Sequence, residues 1–214
     1  RDFCLSRGLG DVYKRQLADS CDAGEFRKFI EQHPGHTVVS YVNTSAEVKA
    51  LTDVVVTSSN ARQIVESLPK DEKIIFGPDR NLGNYIKSIT GRDMLVWDGA
   101  CHVHEQFSVE RLLELKKSHP SAKVLAHPEC KKPMLLLADK VGSTAALLKY
   151  AVESDAGEFI VATESGILHE MRKRCPGKVF IPAPPSDSTC ACNDCNFMKL
   201  NTCLLYTSPS PRDR

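Results

Sequence analysis

The sequence predicts an α/β protein made of two pseudo-symmetric, three-layer αβα units, each holding a short parallel sheet. Three observations carry this reading. Short β-branched runs alternate with helical segments along the chain, a pattern that puts parallel strands between two layers of helices. Polar residues able to do chemistry follow directly after the strand segments, where open α/β sheets bind ligands. The chain also matches itself at a shift of 86 residues: Val38-Val39 falls on Val124-Leu125, Asp53 on Asp139, Ile74-Ile75 on Ile160-Val161 and Leu95 on Ile181.

The elements follow in order. Asp22 to His33 is helical, and Thr37 to Tyr41 is a β-branched strand ending in V-N-T. Ser45 caps a helix through Leu51, Asp53 to Val56 is a second strand running into T-S-S-N, and Ala61 to Leu68 is a helix. Lys73 to Phe76 is a third strand, followed by G-P-D-R-N-L-G and a helix through Ile89. Met94 to Trp97 is a fourth strand, leading into D-G-A-C-H-V-H-E. From Ser108 the pattern begins again: a helix to Ser118, the strand K-V-L-A, then H-P-E-C, then A-D-K-V before G-S-T. The helix Ala145 to Val152, the strand E-F-I-V-A before T-E-S-G, a helix to Arg174 and the strand K-V-F-I complete it. A proline-rich loop then reaches C-A-C-N-D-C, which holds Cys190, Cys192 and Cys195.

Composition narrows the function classes. The 214 residues suffice for one large or two small domains with a real core. A net charge of +1 gives no basic surplus for nucleic acid. No apolar run is long enough to span a membrane and no secretory signal is visible, so a cytoplasmic location is expected. Nine cysteines, unevenly spaced and several beside His, Glu or Asp, favour metal or redox chemistry over a disulfide framework.

Both ends look foreign. Ser6 to Gln16 and Cys203 to Asp213 can be encoded by opposite strands of one piece of DNA, so they resemble translated sequencing adapters. Residues 1–16 and 203–214 are therefore expected to be non-native and are set aside from fold reasoning. Cys4 and Cys203 go with them.

Several constellations stand after strands. In H-P-E-C, His127 and Glu129 lie two apart in an extended tip, so their side chains point the same way, which suits proton transfer or carboxylate binding. Tyr41 and Asn43 take the same two slots in the first unit, and Ser58 matches Thr144. G-A-C-H-V-H-E offers Cys101, His102, His104 and Glu105; it lacks a second well-spaced pair for a zinc site, and a single Cys101 thiolate ligand with His104 as a nearby donor fits better. In C-A-C-N-D-C, Cys192 and Cys195 form a C-x-x-C that supports a redox pair, half a zinc site or a cluster ligand. Cys130 and Cys175 read as structural. G-P-D-R-N-L-G lacks the spacing of a phosphate-binding fingerprint.

The ordered strings L-A-D-S-C, Y-V-N-T-S-A-E-V-K-A, T-S-S-N-A, F-G-P-D-R-N-L-G, D-G-A-C-H-V-H-E, A-H-P-E-C, V-G-S-T-A-A-L-L-K-Y and C-N-D-C-N-F-M-K-L-N-T resemble the quinolinate synthase family over essentially all of Leu17 to Thr202. The resemblance implies three similar α/β domains around a central [4Fe–4S] cluster, each domain giving one cysteine. This chain would hold two of the original three: residues 17–36 a remnant of the first domain with a linker helix, 37–118 the second domain, and 119–202 the third, ending in the cluster-ligand loop. It implies Cys101 and Cys195 as cluster ligands, with Cys190 and Cys192 as neighbours and Cys21 not a ligand. The third ligand position falls on Arg15, inside the adapter-like segment.

By the same resemblance, Tyr41, Asn43, Ser58, His127, Glu129 and Thr144 would hold the carboxylates and reacting atoms of the substrates. Glu129 would transfer protons with Tyr41 assisting. The family condenses iminoaspartate with dihydroxyacetone phosphate to quinolinate in NAD biosynthesis, and an aspartate-oxidising enzyme that supplies iminoaspartate is the implied partner. This chain is expected to be inactive by itself. Two other readings compete: a non-catalytic zinc or redox module built on Cys190, Cys192 and Cys195, and a two-lobed small-molecule binding protein with a shared cleft.

Overall fold

The structure, a computed structural model, describes residues 16–186. Arg15, Cys190, Cys192, Cys195 and nearly all of both adapter-like ends lie outside the described residues. The first half runs α1 (Gln16–Asp19), α2 (Ala23–Glu31), β1 (Thr37–Tyr41), α3 (Ala46–Lys49), β2 (Val54–Val56), α4 (Ala61–Ser67), β3 (Ile74–Gly77), α5 (Arg80–Thr90) and β4 (Met94–Val96). The second runs α6 (His102–Glu105), α7 (Val109–Ser118), β5 (Lys123–Ala126), α8 (Lys132–Leu136), β6 (Lys140–Val141), α9 (Thr144–Glu153), β7 (Glu158–Ala162), α10 (Ile167–Arg174) and β8 (Val179–Pro182).

Each half forms a four-stranded sheet with every pair parallel, in the orders β2-β1-β3-β4 and β6-β5-β7-β8. Strand geometry sends successive side chains to opposite faces, and each sheet is covered on both. Val39, Ile74 and Phe76 pack with Val65, Leu82 and Ile86 of α4 and α5, while Val38 and Ile75 pack with Phe26 of α2 and Val48 of α3. In the second sheet Val124 and Ile160 meet Leu112 of α7 and Met134 of α8. Leu125, Phe159 and Val161 meet Leu147 of α9 and Met171 of α10. Two αβα sandwiches result. Burying Phe26, Phe76 or Phe159 completely contributes about 1.5–3 kcal/mol each.

The internal repeat extends to hydrogen bonds. Asp53 accepts from the Val38 N–H at 2.8 Å, and Asp139 accepts from the Val124 N–H at 2.8 Å. Each aspartate N–H returns to the carbonyl of the same residue. In both halves one aspartate therefore clips the edge strand to its neighbour.

The repeat is nevertheless not gapless. Val38 pairs with Ile75, whereas Val124 pairs with Ile160, so the counterpart of Ile75 is Ile160 and not the expected Val161. Ile75 pairs with Leu95 and Ile160 with Ile181, so the shift returns to 86 at the last strand. The slip escapes sequence reading because β3 and β7 are central strands buried on both faces. Such strands lack the polar–apolar alternation that fixes register. Three short helices, α1, α6 and α8, were also not foreseen; each is too brief to show a 3.6-residue period.

One glycine is required by close approach. A Cβ at Gly83 in α5 would lie 2.8 Å from Val96 Cγ1 and 2.9 Å from Phe76 Cδ1. Gly83→Ala, favourable by helix propensity alone, is expected to lower stability by about 1–3 kcal/mol through overpacking, read as a lower urea midpoint at unchanged m-value.

Candidate active site

The carboxyl ends of both sheets open onto one cavity of about 470 Å³, within the size range of small-molecule sites. Strand ends put the side chains there. Tyr41 is the last residue of β1 and Asn43 follows it; Ser58 comes two residues after β2; His127 directly follows β5, with Glu129 two further on; Thr144 opens α9 after β6. Cys101 caps the N-terminus of α6 after β4. Every candidate site residue within the described residues therefore lines the same cavity, together with His104 and Thr163. Cys195 lies outside the described residues.

The floor is a buried charged cluster. His104 Nδ1 lies 2.9 Å from Glu129 Oε2, and His127 Nδ1 lies 3.8 Å from Glu129 Oε1. The two imidazoles stack with centroids 5.0 Å apart, and the Glu129 N–H donates to His127 Nδ1 at 3.4 Å. Burial alone would favour neutral Glu129, but His104 and His127 outweigh it, with help from the Tyr41 hydroxyl, and hold the carboxyl well below its usual range. Burial likewise works against charge on His104, yet the neighbouring Glu129 carboxylate raises its pKa well above the usual histidine value. Burial pushes His127 down to about 4, with Glu129 opposing and His104 adding to the shift. At neutral pH the cavity thus holds an ionised Glu129 beside a neutral His127.

A pH dependence follows. The unfolded chain protonates His127 near 6.5 and the folded chain near 4, so acidification through that window favours the unfolded state. His104, raised in the folded state, contributes stability that is fully present below its unfolded value and is lost only as pH rises through its folded pKa. Glu129, depressed, contributes stability present above the unfolded carboxylate range and lost on stronger acidification. Urea unfolding between pH 6.5 and 4.5 is expected to show an acid loss in the parent that His127→Gln removes, a difference of about 3 kcal/mol across the full shift.

Around this cluster runs a layer that sequence reasoning missed. Asp79, fully buried, accepts at Oδ1 from the N–H groups of Asn81 and Leu82 at 2.7 and 2.9 Å, capping α5. Its Oδ2 accepts from the Cys101 N–H at 2.6 Å. G-P-D-R-N-L-G is thus a helix cap that also holds the cysteine loop. The signal was present as a D-x-N start to an apolar helix, but nothing in the sequence points Oδ2 at Cys101. Glu105 gathers Arg80 at 3.0 Å, Asn81 at 2.7 Å and Lys131 at 3.4 Å, while Asn81 also donates to the Glu129 carbonyl at 3.0 Å. These bonds tie the first sheet's α5 to the loop after β5. Thr163 follows β7 directly, the slot that His127 holds after β5, and its Oγ1 lies 3.1 Å from His104 Nε2. A polar residue straight after a strand was the signal there.

This arrangement coincides with what the chain is similar to. A family model described as quinolinate synthetase A protein (NadA) matches residues 14–207. The chain is 57% identical over 186 residues to the quinolinate synthases of a Synechococcus species and of Chloroherpeton thalassium, and 56% identical to that of a Synechocystis species. Each match takes in 87% of this chain and 58% of the relative. The chain belongs to the quinolinate synthase family. It spans little more than half the length of these curated relatives.

Quinolinate synthase membership brings an iron–sulfur cofactor into question, and the thiols were tested for fit. Among the described residues, Cys21, Cys130 and Cys175 are buried. Burial pushes the thiols of Cys21 and Cys130 up to about 12, and Cys130 Sγ donates to the Ala162 carbonyl at 3.3 Å. Such thiols are poor ligands. Cys101 is half-buried, faces the cavity and groups with His104 and Glu129 as potential metal donors. The described residues therefore fit one corner of a cluster site.

Proposed function

We propose that this chain is part of a quinolinate synthase, the enzyme that condenses iminoaspartate with dihydroxyacetone phosphate, with loss of phosphate and water, to form quinolinate for NAD biosynthesis. The observation that carries the reading is the convergence of Tyr41, Asn43, Ser58, Cys101, His127, Glu129 and Thr144 on one cavity at the carboxyl ends of two sheets. The chain would contribute two of three αβα domains, residues 37–118 and 119–202, with 17–36 a remnant of the first and a linker helix. Cys101 and Cys195 would hold a [4Fe–4S] cluster, whose iron without a protein ligand would polarise a substrate oxygen as a Lewis acid.

The chain's own residues do the rest. Asn43, Ser58 and Thr144 offer an amide and two hydroxyls to the substrate carboxylates and hold the two reactants in one orientation. Neutral His127 can donate or accept a hydrogen bond without adding charge. Glu129, ionised and buried, accepts the protons that must leave carbon and nitrogen as the ring closes, and Tyr41 beside it relays them. Burial of Tyr41, His127 and Glu129 keeps water from competing at the proton-transfer groups. An aspartate-oxidising enzyme would supply iminoaspartate, and the protein would act in the cytoplasm. Among the described residues no helix is long and apolar enough to cross a membrane.

Arg15 stands where the third cluster cysteine is expected, so the 214-residue chain is expected neither to keep a stable cluster nor to turn over. Anaerobic reconstitution with iron and sulfide tests this: no persistent cluster absorbance and no quinolinate are expected, and both appearing would refute it.

A further inference from the structure

The mechanism above gives His104 no task, yet its surroundings point to one. His104 is buried, and Nδ1 is the buried side-chain nitrogen or oxygen that, among the described residues, completes no hydrogen bond. It approaches Glu129 Oε2 at 2.9 Å without hydrogen-bond alignment. The far ring nitrogen, Nε2, is held by Thr163 Oγ1 at 3.1 Å. An imidazole fixed at one nitrogen by a hydrogen-bonding neighbour, with its other nitrogen turned towards further donor groups, is how metal-binding histidines are oriented. The third donor is Cys101: its Sγ, a His104 ring nitrogen and a Glu129 oxygen all lie within 4.8 Å of one another.

We propose that Cys101, His104 and Glu129 form a mononuclear site for a divalent cation of the zinc class when no cluster is present. One sulfur, one nitrogen and one oxygen donor suit Zn²⁺, which at bond lengths near 2.0–2.3 Å needs its ligands about 3.5 Å apart. Closing the triad onto an ion therefore takes changes of about 1.3 Å or less in the separations present, which reach at most 4.8 Å. Three protein ligands would leave a fourth position open to water or another small ligand. Binding expels the Cys101 thiol proton and the proton of the protonated His104 ring to solvent, and the ion takes the freed sulfur and nitrogen lone pairs; no oxidant or reductant is involved. The site shares Cys101 with the proposed cluster, so the two occupants exclude each other. The triad itself does not depend on that cluster.

Co²⁺ reports the site in the full 214-residue chain through a thiolate-to-cobalt absorption band, and Zn²⁺ affinity is read by displacing it. One Co²⁺ per chain is expected, with the band retained in the triple variant Cys190→Ser, Cys192→Ser, Cys195→Ser and lost in Cys101→Ser. Thr163→Val, which removes only the hydroxyl behind His104, is expected to stay folded and to weaken Zn²⁺ binding about 10–100-fold. His104→Gln and Glu129→Gln are expected to weaken it as well. A band lost in the triple variant, kept in Cys101→Ser, or absent from the parent chain would overturn the proposal, as would unchanged affinity in a folded Thr163→Val. Because no cluster is loaded, failure here leaves the quinolinate synthase reading standing, and failure of that reading leaves this result intact.

Discussion

Glu129→Gln in a full-length protein is expected to lower quinolinate formation by about 10²–10⁴-fold, the range for loss of a positioned proton-transfer group. The substitution keeps the shape of the side chain and its close approach to His104, 2.9 Å away, but removes the negative charge and the basic oxygen. The two histidines that hold the carboxylate ionised would then face a neutral amide, and the raised pKa of His104 would fall towards its ordinary value. The loss should appear in kcat far more than in KM, because Asn43, Ser58 and Thr144 still bind the substrate carboxylates. Glu129→Asp should recover part of the rate. Equal kcat in parent and Glu129→Gln would remove Glu129 from proton transfer.

The second large effect concerns a residue that touches no substrate. Asp79→Asn leaves an oxygen for the α5 cap but turns an NH₂ group towards the Cys101 N–H, which now has an acceptor at 2.6 Å. Two donors then face each other in a fully buried position. The expected cost is about 1–3 kcal/mol of stability, the range for leaving a buried donor without an acceptor. A merely structural role would stop at that loss. The geometry predicts more: the Cys101 loop is freed, so alkylation of Cys101 should quicken in the folded variant under conditions where buried Cys130 stays unreactive. Unchanged Cys101 reactivity would show that Asp79 only caps the helix.

Most of the fold was legible because it rests on local signals. The β-branched runs, the Ser45 cap and the repeat that sets Asp53 on Asp139 mark the elements where they occur. The one-residue slip between β3 and β7 was not, since a strand buried on both faces shows no alternation from which to read its register. The site was legible in a similar way. Residues at the ends of strands (Tyr41, His127) and their second neighbours (Asn43, Glu129) point to a shared cavity once the chain is known to be α/β. What stayed hidden depends on tertiary contact alone: the reach of Asp79 Oδ2 to Cys101, the grouping of Arg80, Asn81 and Lys131 on Glu105, and Thr163 behind His104. Each joins residues from different loops, and no spacing within one segment encodes it.

The most direct test of the proposed function is quinolinate release by a full-length, anaerobically purified and iron-loaded protein containing this chain, supplied with iminoaspartate and dihydroxyacetone phosphate. The account predicts quinolinate and phosphate in equal amounts. An iron-loaded, folded protein that binds either substrate yet releases no quinolinate would contradict it.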